Sequence, residues 1–142
     1  MQNPPITLMD YWMGRDKLYP LALSTATHRN APVTVDLANR LVVLARAAGV
    51  PLPVNIAGNL VSSGWRPAVV NAVTPGASRT SLHMTGQAID LFDPTGAIDA
   101  WLMADLRPLA DLGLWLEHPD ATPRWCHVQT LPPHSGNRVF RP

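Results

Sequence analysis

Two short segments of this 142-residue chain carry the side chains best suited to chemistry. Residues 81–90 read Ser-Leu-His-Met-Thr-Gly-Gln-Ala-Ile-Asp, and residues 125–129 read Trp-Cys-His-Val-Gln. Two imidazoles and one carboxylate are a recurrent ligand set for catalytic zinc, which takes three protein ligands and leaves a fourth position open. We therefore predict a Zn²⁺ site held by His83, Asp90 and His127, a ligand set that also suits other divalent metals.

The spacing of the proposed ligands constrains the local structure. His83 and Asp90 are seven residues apart, too far for adjacent turns of one helix, so the chain must turn back between them. Gly86 lies midway and can adopt the positive φ that a tight turn needs. A strand over residues 87–92, paired with a second strand around His127, would bring Asp90 and His127 together.

These motifs resemble a known family. The pattern Ser-x-His-x-x-Gly-x-Ala-x-Asp, followed by Trp-x-His, resembles the zinc D-Ala-D-Ala carboxypeptidases, whose hedgehog/DD-peptidase fold also occurs in phage endolysins. Ser-Gly-Trp-Arg at residues 63–66 is similar to a Ser-Gly-Tyr-Arg stretch of that family, so the resemblance spans roughly residues 34–130. It implies a zinc peptidase of the phage-associated, endolysin-like branch that hydrolyses an amide bond in peptidoglycan stem peptides, as a carboxypeptidase or an endopeptidase.

The resemblance also implies roles for residues outside the ligand set. Arg66 is expected to bind the substrate carboxylate or to stabilise the developing oxyanion. Ser81 is expected to support the substrate site by hydrogen bonding. Trp65 and Trp125 are each either a wall that contacts the substrate or part of the core, because tryptophan buries a large area wherever it lies.

The catalytic base is where the chain departs from the family pattern. Many relatives place a Glu three residues before the last His ligand, and Arg124 occupies that position here. Glu117 is the best substitute, because a hairpin could return it to the metal and let it transfer a proton from water to the leaving amine. His118 and His134 are alternatives. If none of them reaches the metal, the alternative function is a non-catalytic, zinc-stabilised structural or cell-wall-binding module of a phage particle.

Composition limits the possible partners. The net charge is +1 and the basic residues are scattered, so we expect no nucleic-acid partner. The single cysteine, Cys126, excludes an internal disulfide and is expected in the core, facing away from His127. We find no signal peptide and no apolar run of bilayer length, so we expect no membrane insertion. The expected protein is soluble and cytoplasmic until holin-type release, or virion-borne; its oligomeric state is left open.

The pattern of apolar residues and breakers predicts one α+β domain over residues 1–142, with a small, mainly antiparallel sheet flanked by helices. We divide it into an N-terminal helix and loop (1–33), a metal-site core (34–130) and a C-terminal tail (131–142). Residues 1–5 are expected to be a loose arm and residues 15–32 mostly loop. Helices are predicted at 8–13, from the N-cap Thr34 to Gly49, at 67–73, and at 97–112 with a break at Pro108; strands are predicted at 60–63, 87–92, 114–117 and 125–129.

Overall fold

A computed structural model describes residues 5–142 of the chain. Over these residues the protein is an α+β domain with six α-helices and one five-stranded sheet, which confirms the predicted class. The predicted N-terminal arm lies, except for Pro5, outside the described residues. The helices are α1 (Leu8–Trp12), α2 (Arg15–Leu18), α3 (Thr25–Ala47), α4 (Ala68–Ala72), α5 (Ala97–Ala104) and α6 (Arg107–Leu112), and the strands are β1 (Val61–Ser63), β2 (Ala88–Phe92), β3 (Trp115–Glu117), β4 (Trp125–Gln129) and β5 (Val139–Phe140).

The sheet has the strand order β1-β2-β4-β3-β5. The pairs β1–β2, β2–β4 and β3–β4 are antiparallel, whereas β5 runs parallel to β3, so the sheet is mixed. The parallel strand comes from the predicted tail: the backbone N–H of Leu116 donates to the carbonyl of Arg138 at 2.9 Å, and that of His118 donates to Phe140 at 2.7 Å. The C-terminal segment thus covers the edge of the strand that ends at Glu117.

Helix α3 begins ten residues earlier than the sequence predicts. Its N-cap is Ser24, whose hydroxyl accepts a hydrogen bond from the backbone N–H of Thr27, and the helix continues through Pro32. The expectation that residues 15–32 are mostly loop is therefore wrong. A proline inside a helix removes one backbone hydrogen bond, but the helix residues on both sides, Ala31 and Val35, are buried in the core and hold it in place.

Thr34, the predicted N-cap, lies inside α3 and has another role. Its hydroxyl donates to the carbonyl of Gly86 at 2.7 Å, so it ties the helix to the turn that carries His83. Helix α3 therefore crosses the boundary predicted between residues 33 and 34. Neither α3 nor any other helix between Pro5 and Pro142 is long and apolar enough to cross a bilayer.

The segment at residues 97–112 forms two helices, α5 and α6, as the proline suggested, but the break lies earlier than predicted. It falls at Asp105 and Leu106, and Pro108 lies in the first turn of α6. A proline there costs no helical hydrogen bond, because the first N–H groups of a helix have no partner within it.

The two central strands, β2 and β4, have one apolar and one polar face. Side chains alternate along a strand, and four of them join the core that also contains residues of α3, α5 and α6: Ile89, Leu91, Cys126 and Val128. Cys126 is a fully buried free thiol, as predicted. The opposite face of the same strands carries Asp90, His127 and Gln129, all of which are also buried.

Candidate metal centre

The three predicted metal ligands converge. His83, Asp90 and His127 each offer one ligand atom, and these atoms lie within 4.8 Å of one another. Asp90 and His127 are direct partners across the antiparallel β2–β4 pair, as the strand prediction required. All three side chains are buried, with exposed fractions of 1%, 8% and 8%. The arrangement could therefore hold a metal ion.

A turn of 3₁₀ helix at Leu82–Thr85 presents His83. The hydroxyl of Ser81 caps this turn by accepting from the backbone N–H of His83 at 3.2 Å. Gly86 ends it with φ of 75°, which confirms the predicted positive φ. A Cβ atom at Gly86 would lie 3.2 Å from backbone atoms of α3, so glycine also allows the helix to approach this closely.

The imidazole of His83 has one nitrogen free for a ligand bond. Its Nδ1 lies 2.8 Å from the carbonyl oxygen of Gly64, which can only accept, so Nδ1 carries the proton. Its Nε2 is buried and makes no hydrogen bond to any residue from 5 to 142, although Asp90 Oδ2 lies 3.3 Å away. Burial lowers the pKa of His83 and favours the neutral ring. A buried imidazole lone pair beside a carboxylate fits a metal site.

Asp90 connects the two imidazoles. Its Oδ1 lies 2.8 Å from Nδ1 of His127, while its Oδ2 faces His83. Burial disfavours the charge of Asp90, but the two histidines together hold the pKa of its carboxyl well below the usual range. Burial likewise opposes protonation of His127, yet Asp90 and Glu117 raise the pKa of His127. A metal bound at Nδ1 of His127 must therefore displace a proton.

Glu117 lies beside this cluster. It ends β3, which pairs with β4, and its Oε2 is 3.8 Å from Nδ1 of His127. Its partner on β5 is Phe140, whose ring packs edge-on against the ring of His127 at a centroid distance of 6.3 Å. Burial, assisted by the charge of Asp90, raises the pKa of Glu117. The hairpin thus returns Glu117 to the ligands, where a carboxylate with this pKa shift is suited to exchange protons.

The structure places Arg66 next to the turn that carries His83. The backbone N–H of Arg66 donates to the carbonyl of His83 at 3.1 Å, and its Nη2 lies 3.5 Å from the hydroxyl of Ser81. Its Nε is buried and has no hydrogen-bond partner within the described part of the chain. The positive charge of Arg66 also lowers the pKa of Glu117, against the stronger effect of burial. Arg66, Ser81 and Glu117 therefore surround one site.

The two tryptophans of the motifs differ in environment. Trp65 is fully buried and donates its indole N–H to the carbonyl of Met84 at 3.1 Å, so it belongs to the core. Trp125 is partly exposed at the start of β4 and, by strand alternation, shares the face of His127. Contact of Trp125 with a substrate stays a prediction.

The alternative candidates for the base, His118 and His134, do not lie beside the ligands. His118 caps the turn Pro119–Ala121 by accepting from the backbone N–H of Asp120 at 3.1 Å, and His134 is exposed. Arg124 is exposed, has a φ of 75°, and lines a cleft of about 470 Å³ together with Asp99. Of the residues considered for the base, Glu117 is the one beside the ligands.

Two contributors to the site were not predicted from the sequence. The carbonyl of Gly64 fixes the ring of His83, and Gln129 Oε1 lies 3.1 Å from Nε2 of His127. Backbone carbonyls carry no sequence signal, so the first could not have been recognised. Gln129 follows His127 by two residues on the same strand face, and that spacing was the available signal.

A buried carboxylate that sequence analysis missed lies against the opposite face of β4. Asp99 on α5 is 4% exposed, and its side chain interacts with the thiol of Cys126. Burial, and to a smaller extent Asp93, raises the pKa of Asp99 to about 7. Its Oδ1 and the hydroxyl of Thr122 are buried without hydrogen-bond partners in residues 5–142. Both residues line the same cleft as Arg124.

Comparison of the chain with protein-family models, with curated proteins and with solved structures gives no match.

Proposed function

We propose that this protein is a zinc-dependent peptidase that hydrolyses an amide bond in the stem peptides of peptidoglycan. The observation that carries the proposal is the position of the Glu117 carboxylate, 3.8 Å from Nδ1 of His127 and beside the His83, Asp90 and His127 cluster. The motif resemblance supplies the substrate class and the hedgehog/DD-peptidase fold assignment. A peptidoglycan substrate also implies a route out of the cytoplasm, by holin-type release or on a virion.

The metal would be held by Nε2 of His83, Nδ1 of His127 and the Asp90 carboxylate. When bound, a zinc ion supplies a Lewis acid that polarises carbonyl oxygens and acidifies water. The protein supplies a buried pocket in which the ring of His83 is fixed by its hydrogen bond to the carbonyl of Gly64. Fixed ligand directions of this kind are a general feature of metal sites.

Glu117 would act as the general base and then as the general acid. It accepts a proton from the attacking water and delivers it to the nitrogen of the leaving amine, which is a role that favours a pKa near the operating pH. Burial shifts the pKa of Glu117 in that direction. The pairing of β3 with β4 and β5 holds the carboxylate in place during both transfers.

Arg66 would orient the substrate. A guanidinium is well suited to a carboxylate because it offers several N–H donors in one plane. The buried Nε without a hydrogen-bond partner in residues 5–142 is consistent with a donor reserved for a ligand. Ser81 holds the neighbouring turn, and Trp125 would form a wall of the substrate pocket.

The test is digestion of purified peptidoglycan by the zinc-loaded protein, with the products identified by mass spectrometry. We expect the wild type to release new amino groups and Glu117→Gln to lose about 100-fold or more of that rate at equal zinc content. Asp120→Asn is the matched control, because Asp120 is an exposed acid in the same hairpin. Equal cleavage by wild type and Glu117→Gln would exclude Glu117 as the base.

One observation favours a second candidate function, a zinc-stabilised structural or wall-binding module. Arg124 occupies the position of the family's glutamate and lines a cleft together with residues of α5. Under this hypothesis, the zinc-loaded wild type would bind peptidoglycan without cleaving it, and Glu117→Gln would bind equally well. The digestion experiment, combined with a sedimentation assay for wall binding, separates the two candidates.

A further inference from the structure

We propose that Gln129 is a positioning residue that holds the ring of His127 with its proton on Nε2, so that Nδ1 is the nitrogen offered to the metal. The inference rests on the metal-binding part of the proposed function, but it concerns a residue outside the ligand set. A metal-bound imidazole generally donates its other N–H to a fixed acceptor, and that bond decides which nitrogen binds the ion.

The orientation of the Gln129 amide is defined by a second hydrogen bond. Its Nε2 donates to the carbonyl oxygen of Leu131 at 2.9 Å, and a carbonyl oxygen can only accept. The amide oxygen, Oε1, therefore faces Nε2 of His127 at 3.1 Å. Because Oε1 is also only an acceptor, Nε2 of His127 must carry the proton. The two hydrogen bonds therefore run in one direction: His127 donates to Gln129, and Gln129 donates to Leu131.

The other nitrogen of His127 points into the cluster. Nδ1 lies 2.8 Å from Oδ1 of Asp90 and 3.8 Å from Oε2 of Glu117. With the proton moved from Nε2 to Nδ1, a ring lone pair would face the amide oxygen of Gln129, and a buried acceptor would lose its donor. Such a loss is costly where water cannot replace the bond, and Gln129 is only 7% exposed.

The two histidine rings are thus held with the proton on different nitrogens. The carbonyl of Gly64 holds the proton of His83 on Nδ1 and leaves the lone pair of Nε2 for a metal. Gln129 holds a proton of His127 on Nε2, so that Nδ1, which faces Asp90, is the nitrogen that gives up its proton when a metal binds. The first acceptor is a backbone group that no side-chain substitution removes. The second is a side chain, so its contribution can be tested by mutation.

The experiment combines zinc affinity with the nitrogen chemical shifts of the histidine rings. Gln129→Met removes the acceptor at similar length, Gln129→Glu keeps an acceptor oxygen, and Val128→Ala is the control for a buried change on the opposite face of the same strand. Zinc dissociation constants are measured by competition with a chelator. The ring tautomers are read from long-range ¹H–¹⁵N correlation spectra of the zinc-loaded proteins.

We expect wild-type His127 to be bound through Nδ1 with its proton on Nε2. Gln129→Met is expected to weaken zinc binding by about 10–100-fold and to remove the single His127 tautomer, and Gln129→Glu to restore both. Val128→Ala is expected to lower stability without changing the tautomer. Binding of zinc through Nε2 of His127 in the wild type would overturn the inference even if Gln129→Met fails to fold, as would unchanged affinity and tautomer in a folded Gln129→Met. A wild type that takes up no zinc would overturn this inference and the proposed function together.

Discussion

Two buried aspartates lie on opposite sides of the β2–β4 strand pair, and their charges differ. Asp90 is 8% exposed and has a pKa well below its usual range, whereas Asp99 is 4% exposed and has a pKa raised to about 7. The two carboxyls are almost equally buried, so burial does not account for the difference. Asp90 has two imidazole partners, while the thiol of Cys126 is too weak a partner to offset the desolvation of Asp99.

The β2–β4 strand pair therefore has a charged face and an apolar face. On the face of His127, polar groups pair with one another and retain charge in a buried space. On the face of Cys126, apolar packing prevails, and burial favours the neutral form of the Asp99 carboxyl. A metal cation would be attracted more strongly to the first face, because the Asp90 carboxyl is fully ionised near neutral pH, whereas the Asp99 carboxyl, with a pKa of about 7, is ionised only in part.

The largest expected effect comes from removing the charge of Asp90. Asp90→Asn leaves His83 and His127 without their carboxylate, and breaking a buried pair in this way costs about 3–5 kcal/mol. Zinc affinity should fall by more than the roughly 10–100-fold that loss of a ligand's hydrogen-bond partner causes. Urea denaturation and chelator competition measure the two losses. A variant with wild-type stability and zinc affinity would show that the charge of Asp90 contributes to neither property.

Binding of zinc at the candidate site beside Asp90 should stabilise the protein. At a free zinc concentration of about 100 times the dissociation constant, the free energy of unfolding rises by about 2.7 kcal/mol. The gain should diminish as the pH falls, because the pKa of His127 is raised and protons compete with the metal for Nδ1. Thermal unfolding with and without chelator at several pH values tests this. Asp99→Asn should keep the zinc-induced gain and Asp90→Asn should lose it.

A smaller effect is expected from Asp99. Its pKa is raised to about 7 in the folded protein, so its contribution to stability is fully present below about pH 4 and is lost as the pH rises through 7. We expect this loss to be about 1–2 kcal/mol, less than the full shift implies, because water in the adjoining cleft screens the carboxylate. Asp99→Asn should remove this part of the pH dependence. Urea denaturation of both proteins at pH 5 and pH 8 measures this pH dependence. An equal change in stability between the two pH values in the wild type and in Asp99→Asn would contradict the assignment.

The smallest perturbation is chemical labelling of Cys126. The thiol is fully buried, and burial raises its pKa well above the usual range. Because the thiolate is the reactive form, iodoacetamide should modify the native protein only as fast as the chain opens, and the denatured protein rapidly. Mass spectrometry of timed samples gives the rates. Fast modification of folded protein would show that the Cys126 face is more open than the structure indicates.

The convergence of the three candidate ligands could be predicted from the sequence, because part of their geometry follows from local rules and the motif resemblance indicated the rest. A glycine turn, the alternation of side chains along two strands and the pairing of those strands bring His83, Asp90 and His127 to one point. The start of α3 could not be predicted in the same way. Thr34 has the residue type of an N-cap, but its hydroxyl bonds to Gly86 in a distant part of the chain.

Other features depend on tertiary contacts that leave little trace in the sequence. Strand β5 has two residues and exists because β3 offers it an edge. Asp99 has the same residue type as an exposed helical aspartate, and only the packing of α5 against β4 reveals that it is buried. The sequence predicted that a hairpin could bring Glu117 back to the ligands, and Glu117 does lie beside His127. Its catalytic role stays a prediction.

Gly64 couples the ligand turn to the N-terminal helix. A Cβ atom at this residue would lie 2.0 Å from the carbonyl oxygen of Tyr11, and that same oxygen accepts the backbone N–H of Trp65 at 3.1 Å. Since the carbonyl of Gly64 holds the ring of His83, we expect docking of α1 to be coupled to metal binding at the candidate site, and such coupling is reciprocal. We therefore expect a bound metal to slow hydrogen exchange at the amide of Trp65, and detachment of α1 to weaken metal binding.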